Sequence, residues 1–353
     1  MKSIHIANLV QILFYSGLAF VIAVLLFPSF INFVKKFKLT QKIRSGDLSG
    51  GKAKIFQALH IHKAGTPTMG GAVIIFSVLA VVGLSRFLAY FGWVDHSLLN
   101  RGETYLPLFT LLIVGILGLV DDYLNITEKS AQKGLSAKVK MWSLILFSVL
   151  GAAWFTFKLD YSVLHIPAVG DFDIGLWYFP LFVLVVVGTS NAVNFTDGLD
   201  GLAGGLLAIA YGVFAVIAYF FGLPILTAFC CVIVAAIVGF LWFNVPPARI
   251  FMGDTGALAL GATLGVIAMM TNALVILIIV GFIFIIETLS IILQLFWKKY
   301  FKEKLFLVAP IHHHFEAKGW SETQIVMRFW IIGAVAGICG LVVGIFGMGK
   351  GLM

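Results

Sequence analysis

Ten long apolar runs follow one another along the sequence, and they constrain the fold more than any other feature. A helix needs roughly 20 apolar residues to cross a membrane. On that criterion we predict ten transmembrane helices, at residues 11–34, 70–91, 105–122, 139–157, 176–192, 200–221, 224–242, 256–270, 272–297 and 325–347. Because 61% of the chain is hydrophobic, above the usual share in soluble domains, we expect an all-α, polytopic integral membrane protein. A single transmembrane domain is expected over residues 1–353.

One of these runs, 272–297, is longer than a span requires and carries two polar residues, Glu287 and Gln294. A hydrophobic stretch that exceeds the membrane thickness tilts or bends. We therefore expect this helix to be tilted, or broken near Glu287–Gln294 where it leaves the membrane.

The basic residues of the connecting loops alternate along the chain. By the positive-inside rule, the basic loops are cytoplasmic. The loops predicted to be cytoplasmic are 35–69, 123–138, 193–199, 243–255 and 298–324, and both termini are predicted to lie outside. Since the net charge of +8 is concentrated in these loops, we expect lipid head groups and phosphorylated substrates as partners rather than nucleic acid.

Acidic residues that border the apolar runs are the first candidates for chemistry. They are Asp121, Asp122, Asp197, Asp200 and Asp254, in a chain that is only 11% charged. A carboxylate at the membrane boundary is costly and usually serves a function. All five, and the run His312-His313-His314, fall in or beside loops predicted to be cytoplasmic. The topology therefore predicts a polar site on one face.

The adjacent pair Asp121-Asp122 ends one apolar run. Two close carboxylates suit Mg²⁺ that is shared with substrate phosphates, and they also suit acid–base catalysis. Because neighbouring helical residues point about 100° apart, one carboxylate can face the bundle while the other faces the loop. A solvated helix end beside a basic loop is the alternative.

The segment 191–201 places Asn191, Asn194, Asp197 and Asp200 at every third position. If the segment is helical, these side chains form one stripe. Its two glycines favour instead a tight turn with the backbone close to a ligand. Both geometries concentrate oxygens and amides at one place.

Asp254 lies between two glycines in Phe251-Met-Gly-Asp-Thr-Gly256. Because the motif precedes an apolar run, Asp254 is either the N-cap of that helix or a metal ligand. The motif alone does not separate the two interpretations.

Two further motifs contain residues that bind anions. The amides, hydroxyls and Lys63 of Lys63-Ala-Gly-Thr-Pro-Thr-Met-Gly-Gly71 are suited to an anion-binding nest at a helix N-terminus. The histidines of Pro310-Ile-His-His-His-Phe-Glu316 cannot all point at one ion in regular structure, so they favour phosphate binding or proton transfer over zinc. Ordinary histidines at the membrane interface are the alternative.

Together these motifs resemble those of the polyprenyl-phosphate N-acetylhexosamine 1-phosphate transferases. The segments that carry the resemblance are Asp121-Asp122-Tyr, Asn194-Phe-Thr-Asp-Gly-Leu-Asp-Gly-Leu-Ala203, Phe251-Met-Gly-Asp-Thr-Gly256 and Ala309-Pro-Ile-His-His-His-Phe-Glu316. Within this superfamily the chain is similar to the branch that uses UDP-MurNAc-pentapeptide. The features that indicate this branch are Lys63–Gly71, the triple histidine and Lys318-Gly-Trp-Ser-Glu322.

The resemblance implies that UDP-MurNAc-pentapeptide and undecaprenyl phosphate react, with Mg²⁺, to give undecaprenyl-diphospho-MurNAc-pentapeptide (lipid I) and UMP. It implies a site on the cytoplasmic face of the bacterial inner membrane. Asp254 is then the main Mg²⁺ ligand, with Asp121 and Asp122 as further candidate ligands. Asp121 is the base or nucleophile with Asp122 beside it, and His312 and His313 are also catalytic.

The resemblance also implies a set of substrate contacts, with Phe251 stacking on uracil and Gln294 hydrogen-bonded to it. The expected substrate-binding residues are Lys63, Thr68, Lys133, Asn194, Asp197, Asp200, Asn244, Phe251, Gln294 and His314.

Three rival functions stay open. A transporter also needs intramembrane carboxylates and broken helices, although its acids would lie near the midplane. A scaffold for partner proteins leaves the acids at the membrane boundary unexplained. The nearest rival within the superfamily uses UDP-GlcNAc. The oligomeric state is open too, with a homodimer among the alternatives.

Overall fold

The computed structural model describes residues 2–37, 63, 65–127 and 134–347, with side chains from residue 9 onward. Most of this part of the chain is helical. Its α-helices are α1 Lys2–Lys36, α2 Gly70–Tyr90, α3 Tyr105–Ile126, α4 Ala137–Ala153, α5 Tyr178–Thr196, α6 Leu202–Phe220, α7 Pro224–Asn244, α8 Gly253–Met270, α9 Leu274–Val280, α10 Phe282–Phe301, α11 Ile311–Ala317 and α12 Glu322–Gly347.

Helix lengths and composition confirm the all-α, polytopic membrane fold. Within the described residues, nine helices are long and apolar enough to cross a membrane, and the bent pair α9 and α10 makes a tenth span if it counts as one. The predicted bounds match the observed ones to within a few residues, except at the N-terminal end of α1 and in the long run after α8.

The expectation of a break near Glu287–Gln294 is wrong. The chain bends by 76° between α9 and α10, at Gly281, whose N–H donates to Leu277 O at 2.7 Å. Glu287 and Gln294 instead lie buried inside an unbroken α10. Both side chains have hydrogen-bond partners within the protein, so neither has to leave the helix to reach water.

Helix α8 lies at the centre of the bundle, where every residue from Thr255 to Met269 is buried. Glycines allow its neighbours to approach closely, as is common between membrane helices. A Cβ at Gly71 of α2 would collide with Gly256, and one at Gly118 of α3 would collide with the backbone of Asp254. The N-terminus of α8 is therefore held against the ends of α2 and α3.

The connecting segments that the structure describes lie at the two ends of the bundle. On one face, Gln11 near the start of α1 contacts His96 O at 3.4 Å, and Gly347 at the end of α12 packs against Pro167. A hairpin occupies this face, with β1 Val163–Ile166 antiparallel to β2 Gly170–Asp173, in a segment predicted to be a loop. Within the described residues, the segments that contain His96 and Pro167 therefore lie beside the ends of α1 and α12, as the predicted alternation requires. The assignment of either face to the cytoplasm stays a prediction.

Candidate active site

Asp254 is a carboxylate in the first turn of α8, and it is not the N-cap of that helix. The N-cap position is Met252, which makes no side-chain cap. The Asp254 carboxylate instead accepts hydrogen bonds from Lys140 Nζ at 2.8 Å and from Asn194 Nδ2 at 2.8 Å. The carboxylate therefore points into a polar cluster formed by α4, α5 and α8.

Asp121 faces the same lysine from the end of α3. Its Oδ2 lies 3.1 Å from Lys140 Nζ and accepts from Asn125 Nδ2 at 2.9 Å, while Oδ1 accepts from Leu135 N at 2.7 Å. One ammonium group thus lies between the carboxylates of Asp121 and Asp254. The two negatively charged carboxylates therefore share the positive charge of Lys140.

Asp122 has a different set of contacts. Its oxygens accept from Asp254 N at 3.1 Å, Thr255 N at 3.0 Å and Thr255 Oγ1 at 2.6 Å. The two N–H groups belong to the first turn of α8, where they have no acceptor within the helix. The Asp122 carboxylate therefore caps α8 from α3. Asp121 and Asp122 are both buried, and their side chains point in different directions, as adjacent helical positions predict: Asp121 accepts from Leu135 N of the 123–138 connection, and Asp122 accepts from the first turn of α8. A catalytic or metal-binding role for Asp122 stays a prediction.

The segment 191–201 is a helix end followed by a tight turn, as its glycines indicate, and not one helical stripe. Helix α5 ends at Thr196, and Gly201 has a φ of 80°. Asn191 donates to Val187 O within its own helix, so only the later polar residues reach the cluster. Asp197 lies in the turn, where burial, with the nearby charges of Asp254 and Asp122, raises its pKa to about 7.

A second polar cluster lies beside the first. Lys63 Nζ contacts Asp200 Oδ1 at 2.7 Å and Glu322 Oε1 at 2.5 Å, and Asp200 Oδ2 accepts from Ala248 N at 2.9 Å. This cluster borders a cavity of about 430 Å³. The cavity lining consists of Lys63, Thr66, Asp200, Pro246, Pro247, Ala248, Phe251, Ser321, Glu322 and Thr323.

The Lys63–Gly71 motif does not offer all its amides to an anion. Gly70 N donates to Phe251 O at 2.8 Å, and Gly71 N donates to Met252 O at 2.9 Å. Thr68 is buried in the same region. The start of α2 is therefore attached to the segment before α8, and Lys63 is left as the cationic group of the motif.

The three histidines of α11 point to three different partners. His312 Nδ1 lies 2.9 Å from Glu287 Oε2, and His313 Nδ1 lies 2.5 Å from Glu316 Oε2. His314 Nδ1 accepts from Leu307 N at 3.1 Å, and burial lowers its pKa. Three divergent rings do not form a single metal site.

Two of the expected substrate contacts have their amide groups bound to the backbone. Gln294 donates from Nε2 to Phe306 O at 3.1 Å, and its Oε1 accepts from the amides of residues 305 and 306. Asn244 Oδ1 accepts from Gly201 N at 2.9 Å, and its Nδ2 donates to Ile250 O. Direct contact of either residue with substrate stays a prediction, and Lys133 lies outside the described residues.

Comparison with known proteins identifies the family. A model of glycosyl transferase family 4 matches residues 104–272, and a phospho-N-acetylmuramoyl-pentapeptide-transferase signature matches residues 63–75. The phospho-N-acetylmuramoyl-pentapeptide-transferase of Anoxybacillus flavithermus is 39% identical over 94% of this chain and 97% of its own length. The chain belongs to this family. The enzymes of the same name from Bacillus pumilus (40% identical over 94% of this chain and 97% of that protein) and Granulibacter bethesdensis (44% over 80% of each) agree.

The signature of the phospho-N-acetylmuramoyl-pentapeptide-transferases falls on the motif that the sequence singled out at Lys63–Gly71. It confirms that this motif distinguishes the branch within the superfamily. In the structure the motif contributes Lys63 to the cavity and Thr68 to the buried region beside α8.

The two carboxylates around Lys140, those of Asp121 and Asp254, suit a divalent cation that is shared with substrate. Within the residues that the structure describes, no three His, Cys, Asp or Glu side chains converge on one point, so a metal cage made only of protein is absent there. Mg²⁺ is usually held by one or two carboxylates together with phosphates and water. Asp254 and Asp121, which already share the Lys140 ammonium group, match that requirement.

Sequence reasoning missed Lys140 and Glu322 as site residues. Lys140 lies near the start of an apolar run, where a lysine ordinarily extends toward the membrane surface, and only the packing of α3, α4 and α8 brings it between two carboxylates. Glu322 lies in the segment Lys318–Glu322 that indicates the branch of the superfamily. Its contact with Lys63 joins residues 259 positions apart, so no local pattern predicts it.

Proposed function

We propose that this membrane enzyme transfers phospho-MurNAc-pentapeptide from UDP-MurNAc-pentapeptide to undecaprenyl phosphate, forming lipid I and UMP. Membership of the phospho-N-acetylmuramoyl-pentapeptide-transferase family supports the reaction class and the two substrates. The observation in the structure that supports it best is the pair Asp121 and Asp254 around one cation, next to a cavity with Lys63 on its wall.

The chemistry requires charge neutralisation above all. An oxygen of the lipid phosphate attacks the sugar-bearing phosphorus of the donor, a new P–O bond forms, and the P–O bond to UMP breaks. Both reactants are anionic, so cationic groups must hold them together. Lys140 and Lys63 are the cations that the described site supplies at its two clusters.

Asp121 is the proposed base for the lipid phosphate. Its carboxylate is buried and oriented by Asn125 and by Leu135 N, so it is held in one position at the end of α3. The same placement suits a nucleophile that forms a phospho-enzyme, and the one-step and two-step routes both stay open.

Asp254 and Asp121 are the residues that would hold Mg²⁺. When bound there, the ion would neutralise the pyrophosphate and the UMP leaving group. Asn194 fixes the Asp254 carboxylate through a 2.8 Å hydrogen bond. Asp122, through its contacts to residues 254 and 255, fixes the backbone that carries it.

We further propose that the site faces the cytoplasm from the bacterial inner membrane. The acidic clusters lie at helix ends that border, in the sequence, the basic loops, and the positive-inside rule assigns those loops to the cytoplasm. A soluble nucleotide donor reaches such a face directly, while the lipid phosphate arrives within the bilayer. A homodimer stays a prediction.

A donor panel tests the proposal. The purified protein, in detergent with undecaprenyl phosphate and Mg²⁺, receives either UDP-MurNAc-pentapeptide or UDP-GlcNAc, and UMP release is measured. We expect turnover with the first donor, little with the second, and none when the lipid phosphate is omitted. Efficient use of UDP-GlcNAc would move the protein to the neighbouring branch. Release of no UMP from either donor would refute a transferase of this class.

A further inference from the structure

Glu287 is a buried acid that the proposed reaction leaves without a role. It lies in α10 at 0% exposure, and its Oε2 is 2.9 Å from Nδ1 of His312, which is also at 0% exposure. Within the described part of the chain its second oxygen, Oε1, has no hydrogen-bond partner. A carboxylate removed from water is costly unless it is paired, so a residue that contributes only to packing would not need this group.

The other ring nitrogen of His312 points toward the candidate active site. His312 Nε2 is buried and has no partner within the described residues. A Cβ placed on Gly198 would collide with this nitrogen, so Nε2 lies directly against the turn that follows α5. The adjacent residue of that turn is Asp197, whose carboxylate is close enough to Asp254 to be affected by its charge.

We propose that Glu287 is a positioning residue for His312. Its carboxylate accepts the Nδ1–H, which fixes the ring orientation and leaves Nε2 directed at the Asp197–Gly198 turn. Nε2 then packs against Gly198 and keeps the turn that carries Asp197 in place beside Asp254. A carboxylate that orients a functional histidine through its far nitrogen is a general device in proteins. This inference rests on the proposed function.

A double-mutant cycle tests it. Glu287→Gln, His312→Ala and the double variant are assayed for kcat and KM with UDP-MurNAc-pentapeptide. Because the carboxylate acts on the ring and not on the donor, Glu287→Gln should lower kcat by about 10–100-fold, as loss of an orienting partner does, and leave KM within about twofold. In the His312→Ala background it should have no further effect, since coupled residues are not additive.

Thr288→Val is the matched control, because Thr288 is the next residue of α10 and its hydroxyl donates to Phe284 O within the same helix. It should retain the wild-type kcat. If Glu287→Gln does not fold, Glu287→Asp, which retracts the carboxylate by one methylene, takes its place in the cycle. Wild-type turnover in Glu287→Gln would overturn the inference. So would a loss of kcat from Glu287→Gln that is equally large in the wild-type and in the His312→Ala background.

A second measurement does not depend on turnover. ¹⁵N spectra of histidine-labelled protein, with the His312 signals assigned from the His312→Ala variant, report whether Nδ1 carries a proton. We expect a protonated Nδ1 that changes its shift in Glu287→Gln. An unprotonated Nδ1 refutes the positioning role. Absence of wild-type activity together with a protonated Nδ1 would instead refute the proposed function and leave the orientation of the ring supported.

Discussion

At the scale of single residues, the acidic side chains of the site lie in different environments and so are suited to different tasks. Asp121 and Asp254 share the ammonium group of Lys140, whereas Asp122 caps α8. Asp197 is half-buried in the turn beside them, where partial removal from water and the charges of Asp254 and Asp122 raise its pKa. Substitutions at these positions should therefore have distinguishable effects.

Asp254→Ala should lower turnover by about 10²–10³-fold, the usual cost of removing a group that stabilises charge in the transition state. UMP release at saturating Mg²⁺ measures it. The structure separates this outcome from loss of a helix cap, because the Asp254 side chain does not cap α8. Near-normal turnover would remove Asp254 from the chemistry.

Asp121→Asn keeps the shape of the side chain and removes its charge. If Asp121 is the base, the rate should fall by about 10²–10⁴-fold while binding of the nucleotide sugar persists. Turnover and donor affinity, measured on the same preparation, test this. A parallel loss of both would assign Asp121 to metal binding or structure, and a trapped phosphoryl group on Asp121 would establish the two-step route.

Asp197→Asn should stabilise the protein without substrate or metal, in a pH-dependent way. Because the folded-state pKa of Asp197 is raised to about 7, its ionisation destabilises the fold progressively above the pKa of the unfolded chain, about 4. The gain in unfolding temperature should be absent at pH 4, grow up to about pH 7 and then stay constant. Exposed Asp95, substituted in the same way, is the control. A gain that is equal at all pH values would contradict the assignment.

Some of these residues are visible in the sequence and others are not. Asp121, Asp197 and Asp254 stand out because a charge beside an apolar run is rare. Lys140 does not, because a lysine near the end of a membrane helix is ordinary. The different tasks of Asp121 and Asp122 follow from which atoms they meet across the bundle, and no local pattern contains that information.

At the scale of elements, the position of the carboxylates depends on close helix packing. The N-terminus of α8 is held against α3 at Gly118 and against α2 at Gly71. The spans themselves were predicted correctly from hydropathy. The bend at Gly281 was not predicted. The polar residues Glu287 and Gln294 indicated a break at their own position, but the bundle buries both, and each has a hydrogen-bond partner.

Gly118→Ala should destabilise the protein and reduce turnover together. Its Cβ would meet the backbone of Asp254 and Thr255, which cannot rotate away as a side chain can, and overpacking of this kind costs about 1–3 kcal/mol. Gly83→Ala in α2 is the matched control, since no atom of the described residues lies within 4 Å of its Cβ position. Unfolding temperature and UMP release measure both effects. Equal behaviour of the two variants would contradict the close approach.

At the scale of the whole molecule, the observed faces make the orientation testable. We predict that loops 35–69, 123–138, 193–199, 243–255 and 298–324 are cytoplasmic. Single cysteines at Asp95 and Lys318, in a background without the three native cysteines, serve as reporters on opposite faces. A membrane-impermeant maleimide applied to intact cells should label Asp95→Cys and spare Lys318→Cys. The reverse pattern would overturn the orientation.

The two clusters of the site differ in how the chain holds them. Asp121 and Asp254 belong to helices that are locked together through glycines, while Lys63, Phe251 and Glu322 line the cavity from connecting segments or from the end of a helix. In the proposed function, phosphoryl transfer then belongs to the side chains carried by the closely packed helices, and recognition of the donor to the side chains carried by the connecting segments. We expect a change of donor specificity to require substitutions in the connecting segments alone. Related enzymes that use different sugars would then keep the close packing of α2, α3 and α8.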